Sequence, residues 1–287
     1  MTSSFSFANT LFAGLDYSEY LSRFPIHKYF DIDLAEYGEP SQNISYPPDW
    51  IYQLGDVPYP PELDDLIRLH YLITTRRVTT VLEFGAGKSS IAIADALHEN
   101  SLLYTDYIKE NLRRNNTFEV HSIDTSAEWI SKASNAIPAD LRPHVDFHLC
   151  PAVIADFNGR MCTYYNDLPN ICPDLIYLDG PDLFSPTGSV RGLTTGHKDR
   201  MPMAADILTI EHFLTPGTLI VVDGRTANAR FLECNLQRCW SYCHFQEFDQ
   251  HIFELTEEPL GTYNKLQIEF CLGEDFFQRT AEIQDKT

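Results

Sequence analysis

Four short apolar runs in this chain carry a carboxylate at or beside their last position: Glu83 is next to last in 78–84, and 118–124 closes on Asp124, 174–179 on Asp179 and 218–223 on Asp223. Each is the length of a buried strand, and segments of helical character separate them. Runs that are apolar on both faces belong in a parallel sheet covered on both sides. A row of acids at the strand ends is the stronger constraint. An unpartnered buried carboxylate is costly, so several at one edge imply polar ligands, cations or water there. In an open parallel sheet, that edge is where ligands bind.

The remaining elements follow by pattern. A helix opens after Pro60-Pro61-Glu62, with Asp64 and Asp65 in its first turn and Arg76-Arg77 at its end, matching the helix dipole. Further helices are expected over 89–97, 127–137 and 203–214, and from 223 to about 237. A third strand spans 145–150. The polar stretch 100–117 reads as a loop or short helical insertion, 158–172 as irregular and 180–196 as a Gly- and Pro-rich loop. The tail reads as two strands, near 242–255 and 265–271, with no helix between them and therefore antiparallel. The fold class expected is α/β: a doubly wound, mostly parallel seven-stranded sheet of Rossmann-like type with an antiparallel C-terminal pair. Residues 1–60 form an N-terminal cap, 61–275 the α/β domain and 276–287 a tail. The cap is a poor fit to regular structure, but Tyr17, Tyr20, Phe24, Tyr29 and Phe30 mark it as a segment that packs on something.

The 21 basic and 41 acidic side chains leave a net charge of −20. Such a field opposes binding to a phosphate backbone, so nucleic acid is not the expected partner. The longest aliphatic run, 219–222, is far too short to span a bilayer, so no membrane is expected either. The opening MTSSFSFANTLFAGL lacks the basic and apolar regions of a secretory signal, and the seven cysteines are odd in number and irregularly spaced. Reduced thiols in a cytoplasm are the expectation.

The most informative stretch is VLEFGAGKSSIAIADAL, 81–97, in which a strand enters Gly85-Ala86-Gly87 and a helix follows. Glycines permit the tight turn, and the helix N-terminus offers free N–H groups to an anion. A nucleoside triphosphate loop would need glycine at position 82, which is Leu. A dinucleotide loop would need a third glycine where Ser90 stands, and an acid nearer than Asp124. S-adenosylmethionine carries no phosphate, so the demand for the third glycine relaxes. Its ammonium group suits an acid placed as Glu83 is.

Glu83-Phe84-Gly85-Ala86-Gly87 resembles the first motif of class I S-adenosylmethionine-dependent methyltransferases, E/DxGxGxG, with Ser89 in place of the last glycine. The order of elements from about 62 to 271 resembles that family too. The resemblance implies that Glu83, Gly85, Ala86, Gly87 and Ser89 line the methionine part of the cofactor. It implies that Asp124, with Thr125 beside it, receives the ribose hydroxyls, and that Cys150-Pro151-Ala152 lies near the adenine. Asp179 would border both cofactor and acceptor.

Methyl transfer to a hydroxyl or amine needs the acceptor aligned and relieved of a proton. Asp179 and Asp182 in DGPD, and Asp223 beside Arg225 and Asn228, are the candidates for that work. Asp182 could equally close an Asx turn in its own loop. Some small-molecule O-methyltransferases hold Mg²⁺ with acids at the ends of strands four and five. Asp179 and Asp223 occupy comparable places, but the family's Asp-Asn pair is Asp223-Gly224 here, and no metal is assigned. The expected activity is methylation, at O or N, of a small-molecule acceptor. Asp179-x-x-Asp182 also matches the pair of polyamine synthases, aminopropyltransferases of the same fold. The sequence is also compatible with a dinucleotide-dependent oxidoreductase and with a non-catalytic binding protein. His197 reads as a solvated loop residue, and Cys234, Cys239 and Cys243, with Trp240, as core residues rather than a zinc set with His244. Gly85→Val is expected to abolish cofactor binding without unfolding the chain.

Overall fold

The computed structural model describes residues 2–34 and 60–284. Seven strands form one sheet: β1 (Thr80–Phe84), β2 (Glu119–Asp124), β3 (Val145–Leu149), β6 (Leu175–Leu178), β7 (Leu219–Asp223), β8 (Trp240–Phe245) and β9 (Gln250–Leu255). Their order across the sheet is β3-β2-β1-β6-β7-β9-β8. The first five pair in parallel, and β9 is antiparallel to both β7 and β8. The fold class is therefore the one expected: a mostly parallel seven-stranded α/β sheet with an antiparallel C-terminal pair.

Alternation along the strands divides the core. Val81, Val120, Leu175 and Leu219 face one side. Helices α1 (Thr2–Leu11), α3 (Leu63–Thr75), α4 (Lys88–Asn111) and α8 (Thr262–Cys271) cover them there. Leu82, Ile176, Ile220 and Val222 face the other side, under α6 (Asp206–Ile210) and α7 (Thr226–Glu233). The remaining helices are α2 (Tyr17–Arg23), α5 (Ala127–Ala136) and α9 (Glu274–Gln284).

Four elements differ from the sequence expectation. Helix α4 does not stop at 97 but runs to Asn111. Its polar residues lie on an exposed face, while buried Asn100 donates to the carbonyls of Ile73 (3.1 Å) and Val78 (3.0 Å) and Ile108 enters the core. The stretch 158–172 is not wholly irregular, because β4 (Ala152–Phe157) and β5 (Arg160–Tyr165) form a separate antiparallel hairpin. Asn158 and Gly159 make its turn, with φ of 50° and 79°. An Asn-Gly pair between apolar runs is the ordinary signal for such a turn. The antiparallel pair of the main sheet lies entirely within 240–255, turning through residues 246–249. Residues 265–271, whose alternation imitated a strand, belong to helix α8 and place Asn264 and Ile268 inward at helical spacing.

The N-terminal segment also has more regular structure than expected, in α1, α2 and a short 3₁₀ turn at Ile26–Phe30. Its aromatic residues do pack. His70 of α3 lies between Tyr20 Oη (2.7 Å) and Asp95 (3.0 Å), and Tyr29 Oη donates to Asp95 (2.7 Å). Residues 35–59, which include SYPPDW, lie outside the described residues. Among those described, no helix is long and apolar enough to cross a membrane.

Helix α9 closes the molecule onto α1 through Phe276 and Phe7, both buried. It is anchored by a buried charge: Glu254 of β9 is fully enclosed and receives Arg76 Nη1 at 2.9 Å and the guanidinium of Arg279. Removing the carboxylate strands two mostly buried cations. Glu254→Ala should cost roughly 3–5 kcal/mol of unfolding free energy in urea titrations. A loss below ~1 kcal/mol would mean that the pair carries no structural load.

Candidate active site

The strand order reverses between β1 and β6, which places a crevice at their carboxyl ends. Two glycines let the loops beyond these strands close on each other. A Cβ on Gly85 would sit 2.9 Å from the Asp179 carbonyl oxygen, and one on Gly180 would sit 2.6 Å from Gly85 N and from Tyr165 Oη. Gly85 also has φ of +97°, a region that side chains disfavour. Gly85→Val would thus strain the backbone and push the two loops apart. The expectation that it spares the fold is corrected.

Gly87 differs. Its backbone is extended, and the position of a Cβ there has nothing within 4 Å. This open space adjoins the N-terminus of α4, whose first N–H groups suit a carboxylate.

Glu83 is wholly buried beneath this turn. Its carboxylate accepts from Ser89 Oγ and Ser90 Oγ, each at 2.6 Å, and from Ser122 Oγ. The first service of Glu83 is therefore to pin α4 and β2 to β1. Burial pushes its carboxyl up to about 7 despite the three hydroxyl donors. Ser90, at the position of the third dinucleotide glycine, is one of those donors and also accepts from Gly87 N at 3.2 Å.

Asp124, half-buried at the end of β2, ties the glycine turn to its neighbour. Its Oδ2 accepts from Ala86 N at 3.1 Å, and its Oδ1 from Ser126 N at 2.8 Å. A carboxylate has about four acceptor directions, and with the Thr125 N–H also directed at it not all of them are taken. Burial raises its pKa. Thr125 lies in the same turn and is partly exposed. Beyond β3, Cys150 is buried and donates its N–H to the Asp124 carbonyl at 2.9 Å. Pro151 is exposed, and Ala152 opens the hairpin. The structure thus brings Gly87, Ser89, Asp124 and Thr125 to one rim, with Cys150-Pro151-Ala152 continuing from β3.

Asp179 and Asp223 follow residues paired on neighbouring strands, Leu178 and Val222. Asp179 is half-accessible at the floor of the crevice, yet the protein crowding around it raises its carboxyl, opposed by Arg225. Arg225 Nε donates to Asp179 Oδ1 at 3.3 Å, and its Nη groups donate to the carbonyls of Asp179 (2.6 Å) and Pro181 (3.0 Å). Burial, with the charge of Asp179 added, pushes Asp223 up to about 6. Tyr177 Oη donates to Asp223 Oδ2 at 2.6 Å and fixes its orientation. Asp182 is held by its own loop, accepting from the N–H of Phe184 (2.6 Å) and Ser185 (2.9 Å) and from Ser185 Oγ. That is an Asx turn.

Sequence reasoning missed Tyr177, Tyr165 and Asp206. Tyr177 reads as one more apolar position in a strand. Asp206 is buried, accepts from Tyr165 N at 2.9 Å, and is pushed up to about 7 by that burial. It joins the unforeseen hairpin to α6. Asn228 clasps the backbone of Ala204 in both directions at 2.9 Å. His197 is exposed, and Cys234, Cys239 and Cys243 do not gather with His244; of the three only Cys243 is buried, which corrects the expectation that they pack in the core. All seven cysteines are free. A small cavity of mixed polar and apolar lining, beside Arg76, Asp174 and Gln267, has a structural explanation. Asp174 is engaged there by Thr79, Gln267 and Arg114.

No protein-family model and no curated protein matches the chain. Among solved structures it is similar to the O-methyltransferase TomG from Streptomyces achromogenes, involved in tomaymycin synthesis and solved in complex with S-adenosylmethionine. The identity is 15% over 84% of this chain and 98% of that one, with a TM-score of 0.38.

The buried Glu83 makes a measurable signature. A carboxyl whose pKa rises on folding binds more protons in the folded chain, so its stabilisation is present below the unfolded value of 4.5 and is lost as pH climbs through about 7. Glu83→Gln removes that dependence. Between pH 4.5 and 8 the variant should gain roughly 3 kcal/mol on the wild type in urea unfolding. A difference that does not vary with pH would show that Glu83 is not a buried titrating group.

Proposed function

We propose that the chain is an S-adenosylmethionine-dependent methyltransferase acting on a small-molecule acceptor at oxygen or nitrogen. The observation that carries this reading is the open space at Gly87, set between the α4 N-terminus and Asp124 at the strand-order reversal. The donor set suits the ligand: helix N–H groups for the amino-acid carboxylate, and free acceptor directions on Asp124 for ribose hydroxyls. The turn at Cys150-Pro151-Ala152 would border the adenine. Acids at the crevice suit a cofactor whose sulfonium is cationic. When bound, that cofactor supplies an electrophilic methyl group.

The work of the chain is alignment and proton removal. Asp179, held by Arg225, orients the acceptor at the crevice floor. Asp223, held through Oδ2 by Tyr177, takes the acceptor's proton. The pair does not suit Mg²⁺, because the guanidinium of Arg225 stands where a cation would need a carboxylate oxygen. The aminopropyltransferase reading needs the Asp182 carboxylate turned to an amine, but its own loop holds it.

Calorimetric titration with S-adenosylmethionine and S-adenosylhomocysteine, with NAD, ATP and decarboxylated S-adenosylmethionine as controls, tests the cofactor class. The first two alone should bind in the micromolar range, and Gly87→Val should weaken them at least about tenfold without lowering Tm. Binding of NAD alone, or none at all, would overturn the reading.

Asp223 gives the second test once an acceptor is found. A base must be ionised, so kcat/KM should rise as pH climbs through about 6 and level off above it. The groups that set this value are Asp179 and Glu62, which raise it, and Tyr177 and Arg68, which lower it. Asp223→Asn should lower kcat by about 10²–10⁴-fold and remove the rise. An unchanged profile in that variant would show that the base is elsewhere.

A further inference from the structure

At the far edge of the sheet, three residues before Asp124, the chain gathers a second set of polar side chains. His121 of β2 pairs in register with Asp146 of β3, and His148 lies two residues on along β3. Period two puts all three on one face of the sheet, the face to which Leu82 contributes. Their donor atoms converge. His121 Nδ1 lies 3.1 Å from His148 Nε2 and 3.7 Å from Asp146 Oδ2, and His148 Nε2 lies 3.4 Å from the same Oδ2. Donors around a tetrahedral Zn²⁺ with bonds of about 2.0–2.1 Å lie about 3.3–3.4 Å apart, so one ion fits this triangle.

We propose that His121 Nδ1, His148 Nε2 and Asp146 Oδ2 bind a zinc-class divalent cation. One tautomer of His121 suits it. His121 Nε2 lies 3.2 Å from Glu119 Oε2, and Glu119 is itself held by Asn116 Nδ2 at 3.0 Å. A proton on Nε2, donated to Glu119, leaves the Nδ1 lone pair toward the ion. A carboxylate on the outer nitrogen is the usual partner of a metal-binding histidine. Two imidazoles and one carboxylate favour zinc over magnesium or calcium, which prefer all-oxygen sets. His121 is buried whereas Asp146 is largely exposed, so the fourth position opens to solvent.

A second group, His244, Asp249 and His251, also converges. There both ring nitrogens of His251 are engaged, by Tyr242 Oη at 2.9 Å and Thr226 Oγ1 at 3.0 Å. It serves as the internal control.

The test is titration of the chelator-stripped full chain with zinc sulfate, read by competition with a chromophoric chelator. Ring signals of the histidines are followed by NMR. Wild type should bind one equivalent that is weakened at least about tenfold in both His148→Gln and Asp146→Asn, two substitutions outside the buried core. Glu119→Gln should weaken it about 10-fold. His244→Ala should leave it unchanged. The His121 and His148 ring signals should move at one equivalent. No zinc binding by wild type would overturn the proposal. So would binding equally strong in His148→Gln and Asp146→Asn, or lost in His244→Ala, because the ion would then sit on exposed cysteines or on the control group. The result does not depend on the methyltransferase reading, since no step involves its cofactor or acceptor.

Discussion

The buried carboxylate of Glu83 is the constraint on which the functional edge depends. It takes hydroxyls from the first turn of α4 and from β2 while sitting in β1, so three elements meet on two oxygen atoms. That junction fixes where the glycine turn emerges and where the α4 N-terminus points. A side chain placed to meet a ligand from one side meets the protein instead. The desolvation cost is offset by three hydrogen bonds and by partial protonation near neutral pH. Above the clamp, Gly87 borders open space, and Asp124 accepts from Ala86 N in the same turn.

The acids differ by what surrounds them. Glu83 is enclosed and serves the fold. Asp124 shares itself between backbone donors and open acceptor directions. Asp179 is balanced by Arg225, and Asp223 by the hydroxyl of Tyr177, while burial, with the charge of Asp179 added, raises the carboxyl of Asp223. Asp182 is absorbed by its loop. A row that looked uniform in sequence becomes a graded set, from the enclosed Glu83 to the half-accessible Asp179.

The sheet was legible because apolar runs with two buried faces leave few arrangements open, and their order dictated where a crevice would fall. What escaped the sequence had specific causes. Helix α4 outran its apolar stripe because its second half is held by Asn100 and Ile108 rather than by a continuous face. Residues 265–271 alternate as a strand does, yet helical spacing from Asn264 decides their burial. The β4–β5 hairpin was signalled only by Asn158-Gly159. At the site, strand ends named the acids, but their hydrogen-bond partners come from distant elements, and no local pattern reveals that Tyr177 reaches Asp223 or that His121 meets His148.

The central claim is that the crevice between β1, β2 and β6 holds S-adenosylmethionine. A crystal structure of the chain grown with S-adenosylhomocysteine tests it most directly. The account predicts the amino-acid end of the ligand against Gly87 and the first turn of α4, with the ribose hydroxyls on Asp124. Ligand density elsewhere on the sheet, or a crevice empty at saturating ligand, would contradict it.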